Sequence, residues 1–177
     1  MKPYLTYGSF IAIGNAVITL VLYLAGFHSD PDKLQTGNYV VTATGLALGI
    51  SFLVIGIRTK RAAVPATQEF SYGSALGAGV MIALFASLFG SVFQFIYLSF
   101  INPGFAEVMI QAQTAKMQST GLSADQIDKA TQFMRVMTRP AIQAVMGFFG
   151  GIIFSMIISL IAAAFLKRKA VEAPLAA

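Results

Sequence analysis

The side chains most able to do chemistry lie inside long uncharged stretches of this sequence. Asn15 and Gln94 carry amides, and Ser51, Ser87 and Ser155 carry hydroxyls at similar depth if each stretch is a helix. An unpaired polar group in hydrocarbon costs several kcal/mol, so each of these groups needs a partner. We interpret them as intramembrane polar contacts, which either join helices or contact a substrate.

No recognisable catalytic motif accompanies these groups. His28, Ser29 and Asp30 are the residue types of a hydrolase triad, but they are neighbours in one short loop, and triads are rarely built that way. His28 is also a candidate metal ligand or pH sensor, yet the chain has no cysteine and no second histidine. The pair Asp125 and Asp128 is explained by a solvated helix face. We expect no enzymatic activity, no cofactor and no metal.

Four long apolar segments must position the intramembrane polar groups. Only 11% of the 177 residues are charged, against about 25% in a typical soluble domain. The charges leave four gaps, and each is long enough for the roughly 20 residues that cross a bilayer as a helix. The sequence therefore predicts one all-α integral membrane domain, with Gln143 at the membrane interface. The four predicted transmembrane spans are 4–27, 38–57, 72–101 and 141–166.

The segment between spans three and four is predicted to form an amphipathic helical hairpin at 105–138. Pro103 ends span three, because proline lacks an amide hydrogen and restricts the residue before it. Ser123 and Gln126 have the spacing of a capping box, in which each side chain satisfies a backbone donor of the other. Pro140 suits the first turn of the fourth span. The hairpin is too small to fold alone, so its apolar faces must be covered.

Lysine and arginine are distributed unequally between the two sides of the four spans. The side with both termini carries seven of these residues and two glutamates, whereas the other side carries five of them and five acidic residues. An excess of lysine and arginine marks the cytoplasmic side. We therefore expect cytoplasmic termini, an extracytoplasmic hairpin and a disordered tail at 170–177. No basic patch with interleaved aromatic residues indicates nucleic-acid binding.

Small side chains recur at every fourth position along the fourth span. Small residues let membrane helices approach closely, which is what holds such helices together in lipid. Span two offers Gly45 and Gly49 as a partner groove, and span three offers Gly73 and Gly77. The spacing predicts a packed helix face, either within the bundle or in a homo-oligomer. The residues of this stripe are Gly147, Gly151, Ser155, Ser159 and Ala163.

The stretch from Phe70 to Pro103 carries a resemblance to a known family. Phe70 is followed by Tyr-Gly at the start of a long apolar helix, which Ile-Asn-Pro closes. With the hairpin motif GLSADQID and the closing LKRK, this pattern resembles an uncharacterised bacterial membrane family, the domain of unknown function 4199. The resemblance implies four helices in a bacterial envelope, and no activity or site residue. It also implies a more heavily charged hairpin than the one present.

These observations favour a non-enzymatic accessory or scaffold protein of the bacterial cytoplasmic membrane. Such a protein would act through helix packing and would present its outer hairpin. The alternative is a small oligomeric transporter or channel that uses the neutral polar side chains within the membrane. The expected partners are the lipid bilayer and a second copy or another membrane protein, and no nucleic acid.

Overall fold

The structure is a computed structural model that describes residues 2–171. Every regular element in this part of the chain is helical, apart from one isolated β-bridge between Phe70 and Arg168. The predicted helical class is therefore confirmed, while most of the predicted tail at 170–177 lies outside the described residues. The helices are α1 (Lys2–Leu24), α2 (Pro31–Ala62), α3 (Tyr72–Ile96), α4 (Phe105–Ser119), α5 (Ala124–Met137) and α6 (Pro140–Leu166), and a π-helical segment, Tyr97–Ile101, continues α3.

Four long helices are apolar enough to cross a membrane: α1, α2, α3 with its π-helical segment, and α6. They correspond to the four predicted spans, but α2 extends well beyond the predicted 38–57 at both ends. Hydropathy marks the apolar part of a helix, whereas capping residues set its ends. Asp30 caps α2 by accepting a hydrogen bond from the Asp32 amide at 3.0 Å, and Pro31 occupies the first turn.

The hairpin consists of α4 and α5, close to the predicted 105–138. Ser123 and Gln126 form the predicted capping box at the start of α5, and Gly121 makes the turn before it with a φ of 77°. Arg135 of α5 donates to the Glu107 carboxylate of α4 at 3.1 Å. This ion pair is exposed and contributes little stability. Packing against α2 therefore holds α4, while α5 packs mainly on α4.

Two apolar clusters close the bundle at opposite ends. We call the end that carries Lys2 and Arg168 the terminal end, and the opposite one the hairpin end. The terminal cluster joins α2, α3 and α6, and the hairpin cluster joins α2, α3, its π-helical segment and α4. The terminal cluster is built from Leu53, Ile57, Phe70, Ala75, Ala78, Ile82, Ala162, Ala163 and Leu166. The hairpin cluster is built from Leu34, Tyr97, Leu98 and Phe105.

Between these clusters the long helices are arranged around α3. Helices α1 and α6 pack along α3, and α2 packs mainly along α1. Helices α2 and α6 meet at the terminal end, where the Arg61 guanidinium donates to the Leu166 carbonyl at 3.4 Å. The outer surfaces of the four long helices expose many large apolar side chains, as expected for contact with lipid. Examples are Val17, Leu24, Phe149, Ile161 and Phe165.

Candidate ligand-binding crevice

A crevice separates α2 from α6 in the interval between the terminal and hairpin clusters. Helices α1 and α3 form its back, and its volume is about 650 Å³. Ligand pockets in proteins usually measure about 300–1,000 Å³. At the terminal end the crevice stops at Leu53, which belongs both to its lining and to the terminal cluster. The space is therefore a pocket with one closed end.

The structure brings most of the predicted polar contacts together in this crevice. Asn15 of α1, Ser87 and Gln94 of α3 and Ser155 of α6 all line it. Ser51 of α2 does not; its side chain is exposed and lies outside the lining. Three helices, α1, α3 and α6, thus turn predicted polar groups toward one shared space. Thr42, Ser91 and Gln143 also line the crevice. Gln143 was expected at the membrane interface, and Thr42 and Ser91 were not among the predicted polar contacts.

The polar groups in the crevice are only partly satisfied by the protein. The Asn15 side-chain amide donates to the Ile11 carbonyl at 2.9 Å, and the Ser91 hydroxyl donates to the Ser87 carbonyl at 2.7 Å. Ser87 is only 9% exposed as a residue. Among the side-chain hydrogen bonds of residues 2–171, its backbone carbonyl accepts one from Ser91 but its hydroxyl takes part in none, and its oxygen is not among the fully enclosed atoms that lack a partner. Because its oxygen is not fully enclosed by protein, the unused hydroxyl is open to the crevice.

The crevice is polar toward the hairpin end and apolar toward the terminal end. Ser87 of α3 lies beside Gly151 of α6, and two turns nearer the hairpin end these antiparallel helices carry Gln94 and Gln143 at one level. That level lies roughly 10–12 Å from Ser87, at about 1.5 Å per residue. Toward the terminal end the lining is mostly apolar, with Ser155 about one turn beyond Gly151. The apolar side chains there are Ile11, Leu53, Phe154 and Ile158.

The small-residue stripe of α6 serves two purposes along its length. Near the terminal end, Ser159 and Ala163 are fully buried, and Ser159 lies directly against Gly79 of α3. Nearer the hairpin end, a Cβ added at Gly147 would meet no atom within 4 Å, because Gly147 faces the crevice. Gly151 lies between the packed part and the open part of the stripe. A Cβ added there would be 2.6 Å from the Ser87 hydroxyl.

The predicted partner grooves are also divided between the crevice and other surroundings. A Cβ at Gly45 would lie 2.7 Å from the Asn15 amide oxygen, so this glycine makes room for that side chain. Gly49 lines the crevice with open space beside it. Gly73 and Gly77 lie away from the crevice, and no residue of another helix comes within 4 Å of their Cβ positions.

A family comparison covers almost the whole of this arrangement. The family model described as protein of unknown function (DUF4199) matches residues 6–168. The chain belongs to this family. The resemblance noted from the sequence is thereby confirmed, and the match includes all the crevice residues. No curated protein and no solved structure matches this DUF4199 protein.

This DUF4199 protein also has a buried polar cluster at the hairpin end, which we call the His28 cluster. The Asn102 side-chain amide donates to the Tyr97 hydroxyl at 3.1 Å and to the His28 carbonyl at 3.3 Å. The Tyr97 oxygen lies 2.6 Å from His28 Nδ1, and the Phe105 ring packs against the imidazole at a tilt of 43°, with centroids 4.8 Å apart. The cluster therefore joins the α1–α2 loop to the π-helical segment and α4.

The His28 cluster favours an uncharged imidazole. Because Asn102 donates to the Tyr97 hydroxyl, the hydroxyl proton is available for His28 Nδ1, which accepts it only when unprotonated. Burial lowers the pKa of His28 from its usual 6.5. From the sequence, His28 is an ordinary loop histidine. Its partners could not be recognised there, because they lie about 70 residues away along the chain. Within residues 2–171 no group of three or more His, Asp or Glu side chains is arranged to hold a metal.

Proposed function

We propose that this DUF4199 protein is a non-enzymatic, multi-pass protein of a bacterial cytoplasmic membrane that binds a small lipophilic ligand in the crevice. The observation that carries this proposal is Ser87, a residue nine-tenths buried at mid-length of the long helices, whose hydroxyl is unpartnered within the described residues and lines the crevice. A polar group at that depth requires a partner, since hydrocarbon supplies none. A bound ligand with a hydrogen-bonding group is such a partner.

The charge distribution supports an orientation for this binding protein. The excess of lysine and arginine at the terminal end favours cytoplasmic termini. In this orientation the polar part of the crevice, near Gln94 and Gln143, lies in the outer half of the membrane. The exposed apolar side chains of α2 and α6 then face acyl chains on both sides of the crevice opening, so a ligand can enter from the lipid.

Binding is better supported than conduction. The crevice ends at the terminal cluster, where Leu53 and Ile57 of α2 and Ile82 of α3 are almost fully buried. A transporter using the same neutral side chains would have to separate α2 from α6 at this cluster. The crevice lining includes no charged residue among those described, so the part of the ligand that contacts it is uncharged.

Gly147→Leu tests the proposal, because Gly147 lines the crevice and a Cβ added there meets no atom within 4 Å, so a larger side chain extends into the crevice. The matched control is Gly150→Leu, since Gly150 also has open space beside it but lies outside the crevice lining. Both variants are purified from membranes and released from detergent micelles for native mass spectrometry. We expect the wild type and the Gly150→Leu variant to retain a co-purified small molecule that the Gly147→Leu variant loses. Equal spectra for all three proteins would overturn the proposal.

An accessory role through the outer hairpin is a second candidate function. Within the described chain α5 has no buried residue, and its exposed side includes Phe133 at 64% exposure and Val136 at 38%. Aromatic and branched apolar side chains on an exposed helix are common at protein contacts. Crosslinking in native membranes that recovers a stoichiometric partner or a defined oligomer would support this role, and repeated recovery of a monomer would count against it.

A further inference from the structure

We infer that the crevice ligand is an uncharged lipid with a single hydrocarbon chain and a hydroxyl- or amide-bearing head. This inference rests on the proposed function and adds the chemical class and the direction of the ligand. It places the head beside Gln94 and Gln143 and the chain toward the terminal cluster, past the Ser87 hydroxyl.

The shape of the crevice selects an elongated ligand. Its lining runs from Gln143 to Ile158 along α6 and from Val41 to Leu53 along α2. These stretches correspond to about 18–22 Å of helix at 1.5 Å per residue. A volume of about 650 Å³ spread over this length is narrow, on the order of 30 Å² in section. One extended chain fits such a space, whereas a compact polar solute leaves its apolar end empty.

The distribution of hydrogen-bonding groups fixes the direction of the ligand. The amides of Gln94 and Gln143, at the hairpin end, both donate and accept hydrogen bonds. Neither side chain has a hydrogen-bond partner elsewhere in the described protein, although both are half-buried. The terminal end of the crevice offers mainly carbon atoms. A lipid whose head lies at the two amides can form hydrogen bonds there, while its hydrocarbon chain packs against Leu53 and Ile158 at the apolar end of the crevice.

The absence of charge from the lining, as far as the chain is described, selects a neutral head. A carboxylate or phosphate placed beside the two glutamines would be buried without a counter-charge, and burying an unpaired charge is very costly. The hydroxyl of Ser87, which can donate a hydrogen bond, lies roughly two helical turns below the amides. It can therefore donate a hydrogen bond to an acceptor on the part of the ligand that lies below the head.

Three probes with chains of similar length distinguish these features: monooleoylglycerol, oleate and 1-octadecene. The full-length protein is exchanged into lauryldimethylamine oxide, whose head carries no hydroxyl or amide hydrogen, and the fraction of one-to-one complex is measured by native mass spectrometry. We expect monooleoylglycerol to bind at least about tenfold more tightly than either other probe, on the scale of one or two buried hydrogen bonds. Equal binding of oleate would refute a neutral head, and equal binding of 1-octadecene would refute a polar one.

Gln94→Leu separates a role in recognition from a role in folding. This variant should bind monooleoylglycerol about tenfold less tightly, the scale of one lost hydrogen bond, while its binding of 1-octadecene stays the same or improves. Ser51→Ala, outside the crevice, is the matched control and should bind all probes as the wild type does. If Gln94→Leu weakens both probes equally, the amide has no part in head recognition and the inference fails. The proposed function fails separately, if filling the crevice with Gly147→Leu leaves every adduct in place.

Discussion

At the scale of single residues, helical hydroxyls that look alike in the sequence have different partners. The hydroxyls of Ser91 and Ser159 each donate a hydrogen bond to the carbonyl four residues earlier, at 2.7 Å. These hydroxyls are therefore satisfied within their own helices. Ser87 makes no such bond within the described protein and remains available to the crevice. Gly151, which has no side chain, leaves space beside the Ser87 hydroxyl. The missing intrahelical bond at a buried position, rather than the residue type, makes Ser87 the hydroxyl on which the proposed ligand site depends.

The buried His28 predicts that the stability of the protein depends on pH. Since burial lowers the pKa of His28 below 6.5, the unfolded chain takes up a proton at a higher pH than the folded one does. The stability contributed by neutral His28 is therefore complete above pH 6.5 and declines as the pH falls below it. We expect the melting temperature in detergent to fall between pH 7.5 and pH 5.5.

The variant His28→Phe provides the comparison for this prediction. Phenylalanine keeps an aromatic ring against Phe105. It does not accept a hydrogen bond from the Tyr97 hydroxyl, and it does not take up a proton. This variant should be less stable than the wild type at pH 7.5, and its melting temperature should change less over the same pH range. If the melting temperatures of the two proteins change equally between pH 7.5 and pH 5.5, His28 is not the source of the pH dependence.

At the scale of helices, glycines matter where one backbone approaches another. A Cβ at Gly8 of α1 would lie 2.6 Å from the Phe85 Cβ and 3.0 Å from both the Ala86 nitrogen and the Ile82 oxygen of α3. Two of these atoms belong to the backbone, so no side-chain rotation relieves the contact. The sequence offers Gly8, together with Gly14, as a small-residue groove of the first span.

Gly8→Ala should therefore separate α1 from α3 and destabilise the bundle. The expected cost is about 1–3 kcal/mol, the range for overpacked cores. Gly147→Ala is the matched control and should stay within about 0.5 kcal/mol of the wild type, since open space surrounds it. Thermal melting of both variants in one detergent measures the difference. Similar melting temperatures for the two would show that the α1–α3 approach is not tight.

At the scale of the whole molecule, the two apolar clusters explain why a crevice exists at all. The terminal cluster brings α2 into contact with α3 and α6, whereas the hairpin cluster brings α2 into contact with the π-helical segment and α4 but not with α6. Between the clusters, α2 follows α1 and α6 follows α3, so the two outer helices diverge. Small residues on α2 and α6 then widen the gap, which makes the crevice a consequence of helix order as well as of composition.

The orientation of the whole molecule is testable because the chain contains no cysteine. Single cysteines are introduced as Leu122→Cys in the hairpin turn and Lys169→Cys at the terminal end, both at exposed positions. A membrane-impermeant maleimide applied to intact cells should label the first and should label the second only after permeabilisation. The reverse pattern would invert the proposed orientation, and recovery of the protein in the soluble fraction would contradict membrane insertion itself.

Three features follow from the sequence alone: the number of long helices, the capping box at Ser123 and the helix start at Pro140. These features depend on local composition and on residues within one helical turn, so they can be read without knowing what lies opposite. The sequence also identified Asn15, Ser87, Gln94 and Ser155 as polar groups within apolar segments, because their surroundings along the chain are uncharged.

Which side chains share a space is visible in the folded structure and not in the sequence. It placed those four polar groups in one crevice, excluded Ser51 from it, and divided the α6 stripe into a packed part and an open part. It also joined His28 to Tyr97, some 70 residues away. The rotation of a helix about its own axis and the identity of its neighbours depend on contacts distant in the sequence, and an apolar helix with small residues on several faces does not specify them locally.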